Sequence, residues 1–439
     1  MAFTSLNPLA VRSLDASMLA GCRGKPATNK HRMNPELSHF AARLRKIISI
    51  ASRAGCVVGE TGKFPSQPSR SSREISEPEF SGLALGLFSL QFKHNSAYRK
   101  ICEVRKLTPQ TVEHWAQIPS VPTSAFKELE LTGIPPDERT AVFHSSGTTG
   151  QKPSRHFHCA ESLAVYEASL WAWFEQNLFS NSKLNIQSSK LVCLTPPPAL
   201  APRSSLVHMF ETVRQKLGVA GVPASRPDFL GNLADDGTWT LDFGEVMDGL
   251  SPGGQTPDAR PLLLLGTAFS FVHLLDYLVG RGLQVGLPAG SRVMETGGYK
   301  NRSRAMPKAE LHALITKQLG ITPENIICEY GMSELSSQAY AGVRPGRARS
   351  GSSVFHFPPW ARVQIISPET GSEVADGETG LIRIFDLANV FSVTAIQTED
   401  LAVRRGDGFE LIGRAQLAEP RGCSLMVNSA LDIPHSALA

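Results

Sequence analysis

The stretch Ser145-Ser146-Gly147-Thr148-Thr149-Gly150 interleaves hydroxyl groups with glycines, and Gln151-Lys152-Pro153-Ser154-Arg155 follows it directly. Glycine lets a backbone adopt positive φ and approach a ligand closely, so that successive amide N–H groups converge on an anion. The hydroxyls add further donors, and Lys152 and Arg155 add positive charge. The stretch therefore predicts a loop that grips the phosphates of a nucleotide.

This loop does not match the phosphate loop of P-loop nucleoside triphosphatases. That motif needs glycine directly before its lysine and Ser or Thr directly after it, whereas Lys152 lies between Gln151 and Pro153. The sequence thus disfavours a P-loop enzyme. Considered by itself, the stretch has one alternative interpretation, a solvated turn between two strands.

A second motif lies downstream, at Glu329-Tyr330-Gly331-Met332-Ser333-Glu334. The phosphate loop and this motif resemble two signatures of the acyl-adenylate-forming enzymes, the superfamily of acyl-CoA synthetases, peptide-synthetase adenylation domains and firefly luciferase. The resemblance implies that the ring of Tyr330, next to Gly331, packs on adenine and that Glu334 binds Mg²⁺, a cation that prefers oxygen ligands. The alternative for Glu334 is a residue that only begins a helix ahead of Leu335.

Three further motifs resemble the same superfamily. Met294-Glu295-Thr296-Gly297-Gly298-Tyr299 contains Gly297 and Gly298, which are similar to the glycine loop that lies against adenine. Asp400 resembles the aspartate that accepts hydrogen bonds from both ribose hydroxyls, and Arg414 resembles the hinge arginine that meets ribose or phosphate. Each motif is weak by itself, but five of them follow one another in the required order over about 270 residues.

Other segments carry a narrower resemblance, to an opening helix, to the segment before the phosphate loop and to a terminal Arg-Gly-Cys-Ser/Asn-Leu motif. They are Phe80–Leu85, Phe88, Gln91, Phe92, Asn95, Tyr98–Lys100, Ile118–Pro122, Phe126, Lys127 and Glu419–Leu425. These segments resemble the acyl-protein synthetase family, the long-chain-fatty-acid luciferin-component ligases of bacterial bioluminescence. The resemblance covers about residues 79–428.

This family resemblance implies an ATP-dependent ligase that uses ATP and Mg²⁺. It would activate a carboxylic acid, a long-chain fatty acid in the family, to acyl-AMP and pass the acyl group to a protein cysteine and then to an acyl reductase partner. Lys152, Arg155 and Glu334 would be catalytic. Cys423 is the candidate acceptor, because the charge of the nearby Arg421 favours a thiolate; an inert buried thiol is the alternative.

The alternation of elements predicts an α/β fold. Strand-like runs at 191–194, 262–265 and 326–328 are separated by helical patterns at 161–176, 204–216 and 308–319, as in a mostly parallel sheet. We expect an acyl-adenylate-forming core of the N-terminal type over residues 76–355. Short strands near 363–366, 380–384 and 409–412 predict a small β subdomain over 356–414 that completes the nucleotide site.

The two ends of the chain differ from this core. The first 73 residues hold 12 Lys or Arg and 3 Asp or Glu in a chain of net charge +4. We expect residues 1–75 to form a basic, disordered extension and linker; the alternatives are a transit peptide and a basic amphipathic helix, around 37–48, that touches a membrane or a partner. Residues 415–439 form a short tail, so we expect the full C-terminal lid domain of acyl-CoA synthetases to be absent.

The composition is that of a globular enzyme, with 41% hydrophobic and 19% charged residues. No apolar run approaches the ~20 residues of a transmembrane helix, and the basic extension lacks the interleaved aromatics that favour nucleic-acid binding. Seven cysteines without close pairing predict free thiols in a reducing compartment, the cytoplasm. Without CxxC or His-rich spacing, we expect no structural zinc.

Two other functions stay open: an acyl- or aryl-CoA ligase of the phenylacetate type, and a non-catalytic nucleotide- or acyl-binding scaffold. The expected lack of a lid disfavours CoA as acceptor. The completeness of the motifs disfavours the scaffold, but two departures from the superfamily keep it open: Glu399 replaces a glycine, and Ser154 separates Pro153 from Arg155 where a lysine usually follows the proline. By resemblance His208 lines the acyl pocket, and a satisfied core histidine is its alternative.

Overall fold

The computed structural model describes residues 34–54, 75–145, 152–179, 189–218, 228–250, 260–297, 306–342 and 353–414. The helices in this part of the chain are α1 (Pro35–Ala54), α2 (Glu77–His94), α3 (Ser96–Val104), α4 (Ala125–Glu128), α5 (Ala160–Phe179), α6 (Ser205–Leu217), α7 (Phe243–Leu250), α8 (Ala268–Gly280) and α9 (Lys308–Leu319). The strands are β1 (Val121–Pro122), β2 (Ala141–His144), β3 (Arg155–His158), β4 (Lys190–Cys193), β5 (Gly231–Leu233), β6 (Trp239–Leu241), β7 (Leu262–Thr267), β8 (Arg292–Thr296), β9 (Ile326–Tyr330), β10 (Ala339–Ala341), β11 (Val354–Phe355), β12 (Ala361–Ile366), β13 (Thr379–Asp386), β14 (Ala395–Arg405) and β15 (Gly408–Arg414).

A five-stranded sheet has the order β10-β9-β8-β7-β4. Strands β4, β7, β8 and β9 run parallel, and β10 is an antiparallel edge strand. Successive residues of β7 face two different hydrophobic cores: Leu263 and Leu265 pack with residues of α5 and α6, whereas Leu264 packs with residues of α8 and α9. A strand covered by helices on both faces is apolar throughout, which explains the run of leucines. The predicted α/β architecture is confirmed.

A second sheet is built mainly from the C-terminal strands, in the order β11-β15-β14-β13-β12. These neighbours are antiparallel, which confirms the predicted short strands. Strand β1 adds to the sheet in parallel with β14, where Val121 pairs with Ile396. The segment at residues 121–122 therefore belongs to a sheet whose other strands all lie after residue 353. The domain boundaries at 75, 355 and 414 stay predictions.

Helix α1 corrects one expectation about the N-terminal extension. Leu37, Leu44 and Ile48 on its apolar stripe are at most 1% exposed, and the helix packs against α5 and α2. The expectation of disorder is therefore wrong for residues 34–54, because this stripe is buried in the protein's own main core. A membrane or a partner is not what covers that stripe. Residues 1–33 and 55–74 lie outside the described residues.

Strands β2 and β3 form an antiparallel hairpin in which His144 pairs with Arg155. The predicted phosphate loop is the connection between these strands. Within the described ranges, no helix combines the length and the hydrophobicity needed to cross a membrane. The four cysteines found there, Cys102, Cys159, Cys193 and Cys328, are buried and free, as the sequence predicts.

Candidate active site

The two ends of the phosphate loop are tied together at the tip of the β2–β3 hairpin. The Ser154 N–H donates to Ser145 Oγ (3.0 Å), and the Ser145 N–H donates to Ser154 O (3.3 Å). The rest of the loop, Ser146, Gly147, Thr148, Thr149, Gly150 and Gln151, lies outside the described residues. The hairpin register thus fixes where the loop leaves and re-enters the core.

Glu334 lies directly against the foot of this loop. Its carboxylate accepts hydrogen bonds from Ser154 Oγ (2.5 Å) and Ser333 Oγ (3.0 Å), and the residue is 5% exposed. Ser154 and Glu334 are 180 positions apart in the chain, so this contact unites two separately predicted motifs. From the sequence, Ser154 was noted only as a departure from the superfamily pattern. Its contact with Glu334 was not predicted.

The backbone around Glu334 is held from two further sides. His156 Nδ1 donates to Ser333 O (2.9 Å); burial lowers the pKa of His156 to about 4, so the ring is neutral at physiological pH. On the other side Asn389 Nδ2 donates to Glu334 O (2.9 Å). Glu334 is thereby placed by main-chain contacts as well as by its carboxylate.

A buried carboxylate, Asp386, fixes the segment that follows Glu334. It accepts hydrogen bonds from the N–H groups of Ser336 (2.9 Å) and Ser337 (2.8 Å). Burial raises the pKa of Asp386, while the bond from the Ser337 hydroxyl opposes that rise. No motif in the sequence marked this residue, because its function is to satisfy buried backbone groups.

Tyr330, at the end of β9, meets Asp400 of β14 and Arg414 of β15. The Tyr330 hydroxyl donates to Asp400 Oδ2 (2.8 Å), and Arg414 Nε lies 3.6 Å from Asp400 Oδ1. Asp400 pairs with Arg414 in the register of β14 and β15. The Tyr330 ring contacts Phe409 edge-on, with 5.3 Å between ring centroids. Burial raises the pKa of Asp400, and the bond from Tyr330 partly offsets this.

Two of the predicted glycines occupy positions where a larger residue would be strained or crowded. Gly297, which follows β8, has φ +72°, a conformation that favours glycine. At Gly331 a Cβ atom would lie 2.4 Å from Glu329 Oε1, so any larger residue there would force the Glu329 carboxylate to shift. Gly298 lies outside the described residues.

The two predicted cations of the phosphate loop contact acidic side chains at the end of α4 and just after it. Lys152 Nζ pairs with Glu128 Oε2 (2.9 Å), and an Arg155 guanidinium nitrogen lies 3.4 Å from Glu130 Oε1. Because side chains alternate along a strand, Arg155 faces away from the side on which Ser154 contacts Glu334. The structure thus does not bring these two cations to Glu334, and their catalytic roles stay predictions. Cys423 lies outside the described residues.

His208 projects from α6, which begins after the N-cap Ser204. Its Nε2 lies 3.1 Å from Glu167 Oε1, and its ring centroid is 5.3 Å from that of Phe143 and 5.7 Å from that of Tyr166. The histidine therefore lies among aromatic rings behind the β2–β3 hairpin. A place in the acyl pocket wall stays a prediction.

Comparisons with known proteins add independent findings. The profile of a family described as "Acyl-protein synthetase, LuxE" matches residues 58–157 and 247–432. The chain is 23% identical over 383 residues to the long-chain-fatty-acid–luciferin-component ligase of Vibrio harveyi, covering 84% of this chain and 92% of that protein. It is 21% identical over 402 residues to the enzyme of the same name from Aliivibrio fischeri, covering 84% and 93%.

Among solved structures, the fold is similar to an open conformation of 2-hydroxyisobutyryl-CoA ligase in complex with 2-HIB-AMP and CoA. The TM-score is 0.54 at 14% sequence identity, covering 82% of this chain and 81% of that one. The same ligase in its thioesterification state gives a TM-score of 0.55 at 15% identity, covering 82% and 74%. At such identities the similarity concerns the fold, and it confirms the predicted fold class.

Proposed function

We propose, given that the chain belongs to the acyl-protein synthetase family, that this ligase converts a long-chain fatty acid to acyl-AMP with ATP and then passes the acyl group to its own Cys423. The observation that carries the proposal is the contact between Ser154, at the foot of the phosphate loop, and the carboxylate of Glu334. A phosphate-binding loop and a buried acid side by side suit a reaction at a metal-bound triphosphate.

The residues around Glu334 fit a magnesium ion that arrives with ATP. The carboxylate is accompanied by the neutral hydroxyls of Ser154 and Ser333, and Mg²⁺ prefers oxygen ligands and keeps several waters. We assign Glu334 as the protein ligand. The ion would supply positive charge that neutralises the triphosphate.

We assign Asp400 and Tyr330 to the nucleoside. Asp400 Oδ2 is engaged by the Tyr330 hydroxyl, whereas Oδ1 lies 3.6 Å from Arg414 Nε, which is too far for a good hydrogen bond. Oδ1 is therefore the acceptor that we assign to a ribose hydroxyl. The adjacent Tyr330 ring and Gly297 would border the base.

In the first step a carboxylate oxygen of the acid attacks the α-phosphorus of ATP, a new C–O–P linkage forms, and the bond to pyrophosphate breaks. Catalysis would consist mainly of positioning and electrostatic stabilisation by the loop and by Lys152 and Arg155. In the second step the Cys423 thiolate attacks the acyl carbonyl, AMP leaves, and the thiol proton passes to solvent. We further propose that an acyl reductase collects the thioester.

The first step is tested by ATP–pyrophosphate exchange with a panel of fatty and aromatic acids. Glu334→Gln and Asp400→Ala should each remove at least ~2 kcal/mol of transition-state stabilisation. Glu369→Gln, an exposed acid in a turn, is the matched control and should exchange normally. Full exchange in a folded Glu334 or Asp400 variant would remove that residue from the site.

The second step is tested with ATP and radioactive fatty acid. Wild type should acquire a hydroxylamine-labile label, and Cys423→Ser should lose it but keep pyrophosphate exchange, because a serine hydroxyl is not ionised at neutral pH. Cys193→Ser, at a buried cysteine of β4, is the control. A label that persists in Cys423→Ser would place the acceptor elsewhere, and efficient acyl-CoA formation by that variant would identify CoA as the acceptor.

A further inference from the structure

Three metal-ligating side chains converge next to the nucleotide residues, on a face of the five-stranded sheet that α9 covers. Glu295 on β8 and Cys328 on β9 are directly paired in the sheet register, so their side chains point to the same face. His312 reaches them from α9. One ligand atom of each residue lies within 4.8 Å of the other two.

The separation between His312 and Glu295 is long for a hydrogen bond. His312 Nε2 lies 3.4 Å from Glu295 Oε1 and 3.7 Å from Cys328 Sγ, whereas N–H···O bonds are most often about 2.9 Å long. In a tetrahedral zinc site, the usual bond lengths place nitrogen about 3.3 Å from oxygen and about 3.5 Å from sulfur. These two separations are therefore close to the edges of a zinc tetrahedron, and the separation between the Glu295 and Cys328 ligand atoms is at most 4.8 Å.

A cation already compensates the Glu295 carboxylate. Lys308 Nζ lies 3.4 Å from Glu295 Oε1, and its side chain is 43% exposed. The ammonium occupies the place beside the carboxylate that a metal ion would take, and its partly exposed side chain has solvent into which it can move.

We propose that Glu295, His312 and Cys328 form a binding site for a borderline-soft divalent cation, with Zn²⁺ as the best fit, and that Lys308 is displaced when the ion binds. Thiolate, imidazole and carboxylate are the ligands that zinc prefers. The Cys328 thiol releases its proton as the Zn–S bond forms. Three protein ligands leave the fourth position of the tetrahedron to water.

Sequence spacing could not indicate this site, because its three ligands come from three different elements. His312 is 17 positions from Glu295 and 16 positions from Cys328, and neither interval is a zinc-binding spacing. An ion here would fasten α9 to β8 and β9. Cys328 lies two residues before Tyr330, so this fastening would also restrain the strand that leads into the nucleotide site.

The proposal is tested on the full chain carrying Cys423→Ser, so that the tail thiol cannot contribute. Zn²⁺ titrated against a competing chromophoric chelator should bind with about one equivalent, and Co²⁺ should give a near-ultraviolet thiolate charge-transfer band. Cys328→Ser should abolish that band, and Cys328→Ser and His312→Gln should each weaken binding at least ~10-fold. Lys308→Met should tighten binding, because it removes the competing ammonium.

Cys193→Ser is the matched control, since it alters a buried thiol of the same sheet. His312 is a quarter exposed, so His312→Gln tests the site even if Cys328→Ser folds poorly. Absence of a Co²⁺ thiolate band, or zinc binding that is unchanged in folded Cys328→Ser and His312→Gln proteins, would overturn the proposal. These readouts do not depend on adenylation, so they are distinct from the tests of the proposed function.

Discussion

Glu329 precedes Tyr330 on β9 and faces the opposite side of the sheet, where it accepts a hydrogen bond from the Thr296 hydroxyl. Burial raises the pKa of Glu329 to about 7, although the bond from Thr296 opposes the shift and the nearby Glu295 charge adds to it. In the unfolded chain this carboxyl has its ordinary pKa, near 4.5. Between these two values, the folded protein binds more protons than the unfolded one.

This difference predicts how stability depends on pH. The free energy of unfolding should fall as the pH rises from about 4.5 to about 7, by up to about 3 kcal/mol from this residue. Glu329→Gln, which cannot ionise, should remove that slope and be the more stable protein at pH 8. Chemical denaturation at a series of pH values measures it. A variant with the wild-type pH profile would show that Glu329 is charged in the folded state.

At the residue scale, short and contiguous motifs supplied candidates that the structure brings into contact. Tyr330 and Asp400 were selected from separate motifs, and the structure joins them through a hydrogen bond. Ser154 and Asn389 were missed as partners of Glu334 because no local pattern encodes a contact made across the fold. The interior of the phosphate loop and Cys423 lie outside the described residues, so their roles stay predictions.

At the scale of elements, α1 provides a test of what the N-terminal region contributes to the stability of the fold. Leu44 is fully buried on its apolar stripe, so Leu44→Ala should lower the free energy of unfolding by about 2–5 kcal/mol. Lys46→Ala, at an exposed position of the same helix, should change it by less than about 0.5 kcal/mol. Equal stability of the two variants, measured by urea unfolding, would mean that α1 does not pack on the core in solution.

The elements predicted from apolar patterns are found in the structure, whereas the two-residue strand β1 was missed. The leucine run of β7 and the helical period of α9 are strong signals, because each is set by burial on a defined face. Strand β1 has two residues, one of them Pro122, and only its pairing with β14 makes it a strand. The α1 pattern was recognised as an amphipathic helix, but its buried face could not be assigned to the protein's own core without the position of α5.

At the scale of the whole molecule, Gln91 of α2 links the N-terminal helices to the site. Its side-chain nitrogen donates to Asn389 O (2.7 Å), and its oxygen accepts from the Thr394 N–H (2.9 Å) and hydroxyl (2.8 Å). Asn389 in turn donates to Glu334 O. The segment around Gln91, which resembles the opening helix of the family, is therefore connected to Glu334 through Asn389.

This network predicts a double effect for Gln91→Met, which preserves the side-chain length and removes its hydrogen bonds. Buried backbone groups left without partners should lower the free energy of unfolding by at least ~2 kcal/mol, and the rate of pyrophosphate exchange should fall through the displaced Asn389. Gln215→Met, at an exposed glutamine of α6, should affect neither quantity. Thermal unfolding and exchange assays on both proteins check this, and an active, fully stable Gln91→Met would contradict it.

The bond between Gln91 and Thr394 also determines when the chain can fold, because it joins residues 303 positions apart. At a synthesis rate of about 5–20 residues per second, a ribosome needs roughly 15–60 s to make the intervening chain. During that interval the apolar face of α2 has been made but its C-terminal partners have not. A nascent chain of this length is a natural client for a chaperone that shields apolar helices, and ribosome stalling before residue 394 should increase its aggregation.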